Sequence, residues 1–173
     1  MAYKKKGKIK IFFKEEEIIE PLELSQFLFL IDRLYFYLKE HREVSENLLF
    51  LIEKYLEDPC NKNINFANIE KKIRNLNLRD FRFFIEKSAE NLWKFGEYQR
   101  SYLAIYRITK ESPLKIFVIG ILAYLIIALT IAGGKLKISI PEGRLEVEIN
   151  SLGDGIEKIL DAIEKHRRGD KDE

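Results

Sequence analysis

Apolar residues recur at three- and four-residue steps along several stretches of the chain, a spacing typical of amphipathic helices. Residues 22–38 carry the widest apolar stripe, so we expect that helix to be buried on more than one side. The same spacing predicts helices over residues 44–56 and 78–95, a shorter helix over residues 69–76, and a last helix over residues 155–166. Most of the chain up to residue 95 is therefore expected to be helical.

Other stretches alternate apolar and polar residues, as half-buried strands do. Residues 136–140 and 144–149 show this alternation, and the Pro-Glu-Gly sequence at residues 141–143 predicts a hairpin between them. Shorter strands are predicted over residues 9–13 and 102–109. Each strand of the hairpin has one apolar face, so the hairpin must cover another part of the protein.

Two helix ends carry recognisable capping residues. Asp154 is the expected N-cap of the last helix, and Glu157, three residues later, would complete a capping box. Gly96 is placed to end the helix over residues 78–95.

The longest apolar segment covers residues 116–134, which are 19 residues without a charge. As a helix it would span roughly 28 Å, close to the ~30 Å hydrocarbon core of a bilayer. Lys115 and Lys135 bracket it, and it has no polar stripe. We therefore predict a transmembrane helix. The residues assigned to the membrane are Ile116, Phe117, Val118, Ile119, Ile121, Leu122, Tyr124, Leu125, Ile126, Ile127, Leu129 and Ile131.

The same segment also fits a protein core, since a continuous apolar run has no distinguishing period. Gly120 could divide it into a strand over residues 114–119 and a buried or interface helix over residues 121–132. That strand could pair with residues 102–109 across a turn at residues 110–113. Both interpretations stay open at the level of the sequence.

The membrane interpretation predicts an α+β fold in three parts. Residues 1–110 form a helix-rich cytoplasmic domain with a few strands, residues 111–134 the apolar helix, and residues 135–173 the β-hairpin with a C-terminal amphipathic helix. Slightly more Lys and Arg residues lie just before the segment than just after it. Because positively charged flanks tend to stay in the cytoplasm, this difference places residues 1–110 there. The last part would stand alone, and units of that size without a disulfide or metal are marginal. This difficulty favours the other interpretation, in which the apolar segment and residues 135–173 join one protein core.

Composition narrows the functional class. Apolar residues make up 46% and charged residues 34% of the chain, and this combination excludes disorder, which needs low hydrophobicity. The abundance of charged residues beside only two Gln is similar to that of thermophilic proteins. Net charge is +2, so no global field steers the chain toward nucleic acid. One cysteine, Cys60, leaves no partner for an intrachain disulfide.

Recognisable catalytic chemistry is missing from the sequence. His41 and His166 lie far apart, and neither has the spacing to other ligands that a zinc site needs. There is no nucleophile elbow, Walker loop or dinucleotide fingerprint. We therefore expect no catalytic residue, no metal site and no cofactor, and the chain is expected not to be an enzyme.

A basic cluster, Lys4, Lys5, Lys6, Lys8 and Lys10, begins the chain. Such a cluster is typical of a solvated tail, and it would also attract anionic lipid or nucleic acid phosphate. Beside a membrane segment, lipid is the more coherent partner. Because no RNA-binding motif is present, we do not expect nucleic acid as a partner.

Residues 107–116, Arg-Ile-Thr-Lys-Glu-Ser-Pro-Leu-Lys-Ile, carry a resemblance. This part of the chain resembles small, uncharacterised bacterial proteins in which a strand, a Ser-Pro-Leu turn and an apolar run follow a helical part. The resemblance implies no functional residues. Some small membrane proteins of this build are toxic effectors in phage defence, an analogy of architecture alone.

Two functions follow from these patterns. The first is a non-enzymatic, membrane-associated protein that oligomerises and acts as an effector or anchoring subunit. The second is a soluble α+β protein-binding module, a subunit of a larger complex, in which residues 121–132 form a buried or interface helix. Self-association or a partner protein is expected in both.

Overall fold

A computed structural model describes residues 5–14, 19–95, 103–109, 113–139 and 144–169. In these residues, five strands form one mixed sheet and six helices accompany it, with a short 3-10 helix at Arg42–Val44. The strands are β1 Lys6–Phe13, β2 Ala104–Thr109, β3 Lys115–Ile121, β4 Lys135–Ser139 and β5 Arg144–Ile149. The helices are α1 Pro21–Glu40, α2 Glu46–Glu57, α3 Phe66–Arg74, α4 Arg79–Phe95, α5 Leu122–Ile131 and α6 Leu152–Gly169.

The sheet has the strand order β2-β3-β1-β5-β4. The central strand β1 runs parallel to β5, and every other neighbouring pair is antiparallel. Ile11 on β1 lies opposite Ile116 on one side and beside Val147 on the other. All three side chains are buried, because residues that face each other across a ladder point to the same side of a sheet. This side is the covered face.

The hairpin predicted from alternation is confirmed. Strands β4 and β5 pair antiparallel, with Ser139 opposite Arg144, and β5 continues the sheet beside β1. The apolar side of β5, which ends in Val147 and Ile149, lies on the covered face. The hairpin therefore belongs to the same sheet as the first strand of the chain.

Helix α1 reaches the covered face at Phe27, whose ring packs edge-on against that of Phe13 of β1, with centroids 5.5 Å apart. Pro21 occupies its first turn, where a missing amide hydrogen costs nothing. Buried side chains lie on more than one side of the helix, as its wide stripe predicted. The Tyr35 hydroxyl accepts a hydrogen bond from the Ile121 amide at 2.9 Å, where β3 passes into α5. This bond ties the helix to the sheet.

The predicted transmembrane helix is wrong. Among the described residues, no helix is both long and apolar enough to cross a membrane. Helix α5 has ten residues and is therefore only about 15 Å long, half the thickness of a bilayer core. Of the residues assigned to the membrane, Ile116, Phe117, Val118, Ile119 and Ile121 lie in β3, and Leu122, Tyr124, Leu125, Ile126, Ile127, Leu129 and Ile131 lie in α5.

Local chemistry divides the apolar segment. The β-branched residues of β3 favour an extended backbone, and Gly120 leaves room for the Tyr35 and Leu125 side chains, which an added Cβ would meet at 3.1–3.3 Å. Helix α5 ends in a Schellman turn: the Gly134 amide donates to the Leu129 carbonyl and the Gly133 amide to the Thr130 carbonyl. Gly133 has a φ of 81°, which glycine adopts without strain.

Burial on every side explains why α5 has no polar stripe. All ten of its residues are buried. The helix packs against α1, α2, α3 and α6 and against strands β1, β3 and β4. A helix of under three turns is short enough to be surrounded, so protein takes the place of lipid.

Helices α2, α3, α4 and α6 lie where the periodicity predicted them, within a few residues. The predicted capping box of the last helix is wrong: α6 begins at Leu152, and the Ser151 hydroxyl accepts a hydrogen bond from the Asp154 amide at 3.0 Å. Asp154 is therefore inside the first turn. Lys4, Gly96 and the predicted turn at residues 141–143 lie outside the described residues, as does the His166 side chain.

Candidate functional site

The second face of the sheet, called here the open face, is not covered by any described helix. Register places Lys8 opposite Ile119, Lys10 opposite Phe117, and Phe12 opposite Lys115. The side chains of the open face are Lys6, Lys8, Lys10 and Phe12 on β1; Ala104, Tyr106, Arg107 and Thr109 on β2; Lys115, Phe117, Ile119 and Ile121 on β3; Lys135, Lys137 and Ser139 on β4; and Arg144, Glu146 and Glu148 on β5.

Positive charge is concentrated on the open face. Its described strands carry eight Lys or Arg against two Glu, a net charge of +6, whereas the whole chain carries +2. The rest of the chain therefore carries −4. Strand alternation produces this separation, since every second residue of β1 from Lys6 to Lys10 is a lysine and its neighbours point into the core.

Both glutamates of the open face are engaged by lysines. The Lys10 ammonium lies 2.8 Å from the Glu146 carboxylate on the neighbouring strand. Glu148 accepts a hydrogen bond from Lys137, and Lys14 lies 3.6 Å away. The hydrogen bond from Lys137 lowers the pKa of Glu148, with smaller contributions from the charges of Lys137, Lys14 and Lys135, while burial acts in the opposite direction. The carboxylates therefore hold lysines in place without cancelling the positive field.

The lowered pKa of Glu148 predicts a pH-dependent stability. Its contribution is fully present above the ordinary glutamate pKa of about 4.3 and is lost as the pH falls through the lower pKa of the folded state. Unfolding in urea at a series of pH values should show that wild-type stability falls more steeply in that acidic range than the stability of Glu148→Gln. Parallel curves for the two proteins would contradict this prediction.

A matched control for that measurement is Glu70→Gln. Glu70 pairs with Arg74 at 2.6 Å on the surface of α3, and both side chains are partly exposed. Exposed pairs contribute little to stability, so the Glu70→Gln curve should run parallel to that of the wild-type chain.

Aromatic rings lie among the cations of the open face. Phe117 and Tyr106 are in ring contact, with centroids 5.6 Å apart. The Lys8 ammonium lies 5.0 Å from the Tyr106 centroid, and Arg107 lies 5.8 Å from that of Phe117. Phe12 has Lys137 at 5.1 Å and Lys10 at 5.7 Å. Each ring is thus within cation–π distance of a side chain that can also bind an anion.

A bulge in β2 accompanies the Tyr106–Phe117 contact. Ile105 pairs with Val118 and Arg107 with Phe117, so Tyr106 is an extra residue between two ladder positions. Bulges redirect side chains near sheet edges. About half of the Tyr106 side chain is exposed.

A cleft of about 630 Å³ crosses the open face from β2 to β5. Tyr106 and Phe117 form its aromatic wall, and the paired Lys10 and Glu146 also line it. The lining is completed by Lys8, Ile9, Lys115, Arg144 and Leu145. An aromatic wall beside several cations suits a ligand that has both flat rings and negative charges.

The basic cluster predicted from the sequence is divided by the fold. Lys6, Lys8 and Lys10 lie on the open face, because β1 begins earlier than predicted. Lys5 precedes the strand, and its ammonium donates to the Leu56 carbonyl at 3.3 Å. Lys4 lies outside the described residues. The cluster therefore contributes three of its five lysines to a structured surface instead of a tail.

The aromatic residues of the open face were missed by the sequence analysis. Phe12 was counted only in a short apolar strand, and Phe117 was assigned to the membrane. The signal that could have found Phe12 is the strict alternation of lysines at positions 6, 8 and 10, which continues to position 12 while Ile9, Ile11 and Phe13 alternate with them. Tyr106 has no such signal, because a bulge breaks the period.

Metal-ligating groups do not converge in the part of the chain that the structure describes: there, no three of His, Cys, Asp and Glu could hold one ion. His41 lies 3.4 Å from Glu43 on the surface, and Cys60 is exposed.

Similarity to known proteins adds nothing to this geometry. Comparison with protein-family models, with curated proteins and with solved structures finds no match to this chain.

Proposed function

We propose that the chain is a non-enzymatic binding module whose open face docks a polyanion. One observation carries this proposal: a net charge of +6 lies on a sheet face that no described helix covers. The first sequence-based function relied on a transmembrane helix, and no helix among the described residues could form one. The proposal develops the second one, in which the helix over residues 121–132 is part of the core.

The charge of the open face supports binding more than it supports folding. Like charges on one face repel each other, and the covered face already buries the apolar side chains of the sheet. An anionic partner would relieve that repulsion. At physiological salt the field extends about 8 Å, so the partner must lie directly on the face.

A second copy of the chain is a poor occupant of this face. Two open faces placed together would oppose +6 to +6, and like charges across an interface cost several kcal/mol. The sign of the charge therefore favours a partner of different chemistry.

The test is binding of labelled polyanions measured by fluorescence anisotropy at low salt. The probes are a single-stranded oligodeoxythymidylate of about twelve nucleotides and poly-glutamate of similar charge. The wild-type chain should bind at least one of them. The double variant Lys8→Glu, Lys115→Glu should bind at least about tenfold more weakly, because it replaces attraction by repulsion in the middle of the face.

The matched control is Lys71→Glu, Lys72→Glu, which makes the same change of charge on α3. Both lysines are exposed, and α3 packs against α2 and α5. This control should bind within about twofold of the wild-type chain, since it leaves the open face intact. If the two double variants lose affinity equally, or if the wild-type chain binds no polyanion, the proposed function is wrong.

A further inference from the structure

The aromatic rings of the open face are arranged as a pair of stacking positions. Phe12 on β1 and Phe117 on β3 are diagonal neighbours, because Phe12 lies opposite Lys115 and Phe117 opposite Lys10. Diagonal neighbours across antiparallel strands lie roughly 7–8 Å apart. Tyr106 extends the Phe117 position toward β2 through its ring contact. Flat groups on a flexible chain could therefore occupy two adjacent positions.

The half-buried rings of the open face favour one kind of anionic partner over the others. Phe12 and Phe117 are half-buried and have cations near their rings. An acidic polypeptide has carboxylates for the lysines but no regular supply of flat groups for the rings. Residues that anchor a protein in lipid must protrude, and these two do not. Nucleobases are flat on both sides and stack on such rings regardless of their sequence.

Cations lie beside each stacking position. Lys115 is opposite Phe12, Lys137 lies 5.1 Å from the Phe12 centroid, and Lys8 lies 5.0 Å from that of Tyr106. A lysine ammonium is carried on a flexible four-carbon stem, so it can move from a ring to a phosphate when a base takes its place. Each base would then have a phosphate contact within the reach of a neighbouring lysine.

We infer that the polyanion is a single-stranded nucleic acid, with one base stacked on Phe12, a second on the Phe117–Tyr106 pair, and its phosphates held by Lys8 and Lys115. This inference rests on the proposed function and names its ligand. Paired bases are already stacked inside a duplex, so their flat sides are not available to a sheet. Sheet surfaces that bind single-stranded RNA commonly stack two or three bases on aromatic side chains.

The first test removes the rings and keeps the charges. Phe12→Leu and Phe117→Leu should each weaken binding of the single-stranded oligodeoxythymidylate by at least about fivefold. The slope of log Kd against log salt should stay unchanged, because no phosphate contact is lost. Phe83→Leu is the matched control, since Phe83 is 70% exposed on α4, and it should bind as the wild-type chain does.

A second variant keeps this test independent of folding. Tyr106→Leu changes a side chain that is about half exposed, so it should leave the thermal unfolding temperature nearly unchanged while weakening the oligonucleotide complex. If Tyr106→Leu and both phenylalanine variants bind as tightly as the wild-type chain, the stacking inference is overturned.

The second test removes the bases and keeps the phosphates. An abasic oligonucleotide of equal length should bind the wild-type chain several-fold more weakly than oligodeoxythymidylate, and it should bind the ring variants as it binds the wild-type chain. Equal wild-type affinity for the two oligonucleotides would overturn the inference and leave the proposed function standing. If a DNA duplex, poly-glutamate or phosphatidylglycerol vesicles bind more tightly than the single strand, the inference is likewise overturned and the proposed function stands. If the wild-type chain binds no polyanion at all, both the inference and the proposed function are overturned.

Discussion

Replacing Leu125 by alanine should lower the free energy of unfolding by about 2–5 kcal/mol. Leu125 lies in the middle of α5 with 0% of its surface exposed, and the neighbouring Tyr124 ring makes an edge-to-face contact with Tyr35, with centroids 5.9 Å apart. The shortened side chain would leave a cavity that helices on several sides cannot close. Urea unfolding followed by circular dichroism gives the change directly.

The control for this prediction is Leu22→Ala, which makes the same chemical change where 66% of the side chain is exposed. It should change the free energy of unfolding by no more than about 0.5 kcal/mol. A leucine that faces lipid or solvent would behave as Leu22 does. Equal and small effects of the two substitutions would therefore show that α5 is not enclosed by protein.

Replacing Asp32 by alanine should cost about 3–5 kcal/mol, because it removes a carboxylate from a buried charge pair. Asp32 and Arg33 are adjacent on α1 and are 4% and 2% exposed. Arg33 Nε and Nη2 both donate to Asp32 Oδ2, at 3.1 and 2.5 Å. The guanidinium also lies 5.4 Å from the Phe36 ring centroid. Without Asp32, the positive charge of the Arg33 guanidinium would stay in the core with less compensation.

Two companion variants test whether buried charge is the cause. Glu86→Ala breaks an exposed pair with Arg82, in which Glu86 is 59% exposed, and should cost no more than about 0.5 kcal/mol. Asp32→Leu combined with Arg33→Met removes both buried charges at similar volume, so it should cost less than Asp32→Ala alone. If the double variant is the less stable of the two, the pair contributes more than its desolvation costs, and this account of it is wrong.

Local periodicity was enough to determine most of the elements. The three- and four-residue spacing determined the amphipathic helices, and the two-residue alternation determined the β4–β5 hairpin. These patterns are reliable because one face of each element meets water, so the sequence itself records which side is buried. The shift of the α6 start from Asp154 to Ser151 is a smaller error, since several residues in that turn can cap a helix.

The apolar segment was beyond this reasoning because α5 is buried on every side. No face of it meets water, and its sequence therefore has no period that separates a protein core from lipid. Whether this segment lies in a protein core or in lipid depends on the elements around it. Helices α1, α2, α3 and α6 and the sheet enclose α5. Gly133 and Gly134 end the helix after ten residues. Only the tertiary structure supplies those neighbours.

The open face was hidden for a related reason. The sequence by itself determined that lysines alternate along β1 and that the hairpin has a polar side. Only the tertiary structure brought these stretches together: Lys10 and Glu146 meet across 136 positions of the chain, and Phe117 comes to lie beside them. A net charge of +2 is a sum over the whole chain, whereas binding depends on the charge within a Debye length of a surface. Strand order decides which charges share that surface, and strand order is set by contacts between distant parts of the chain.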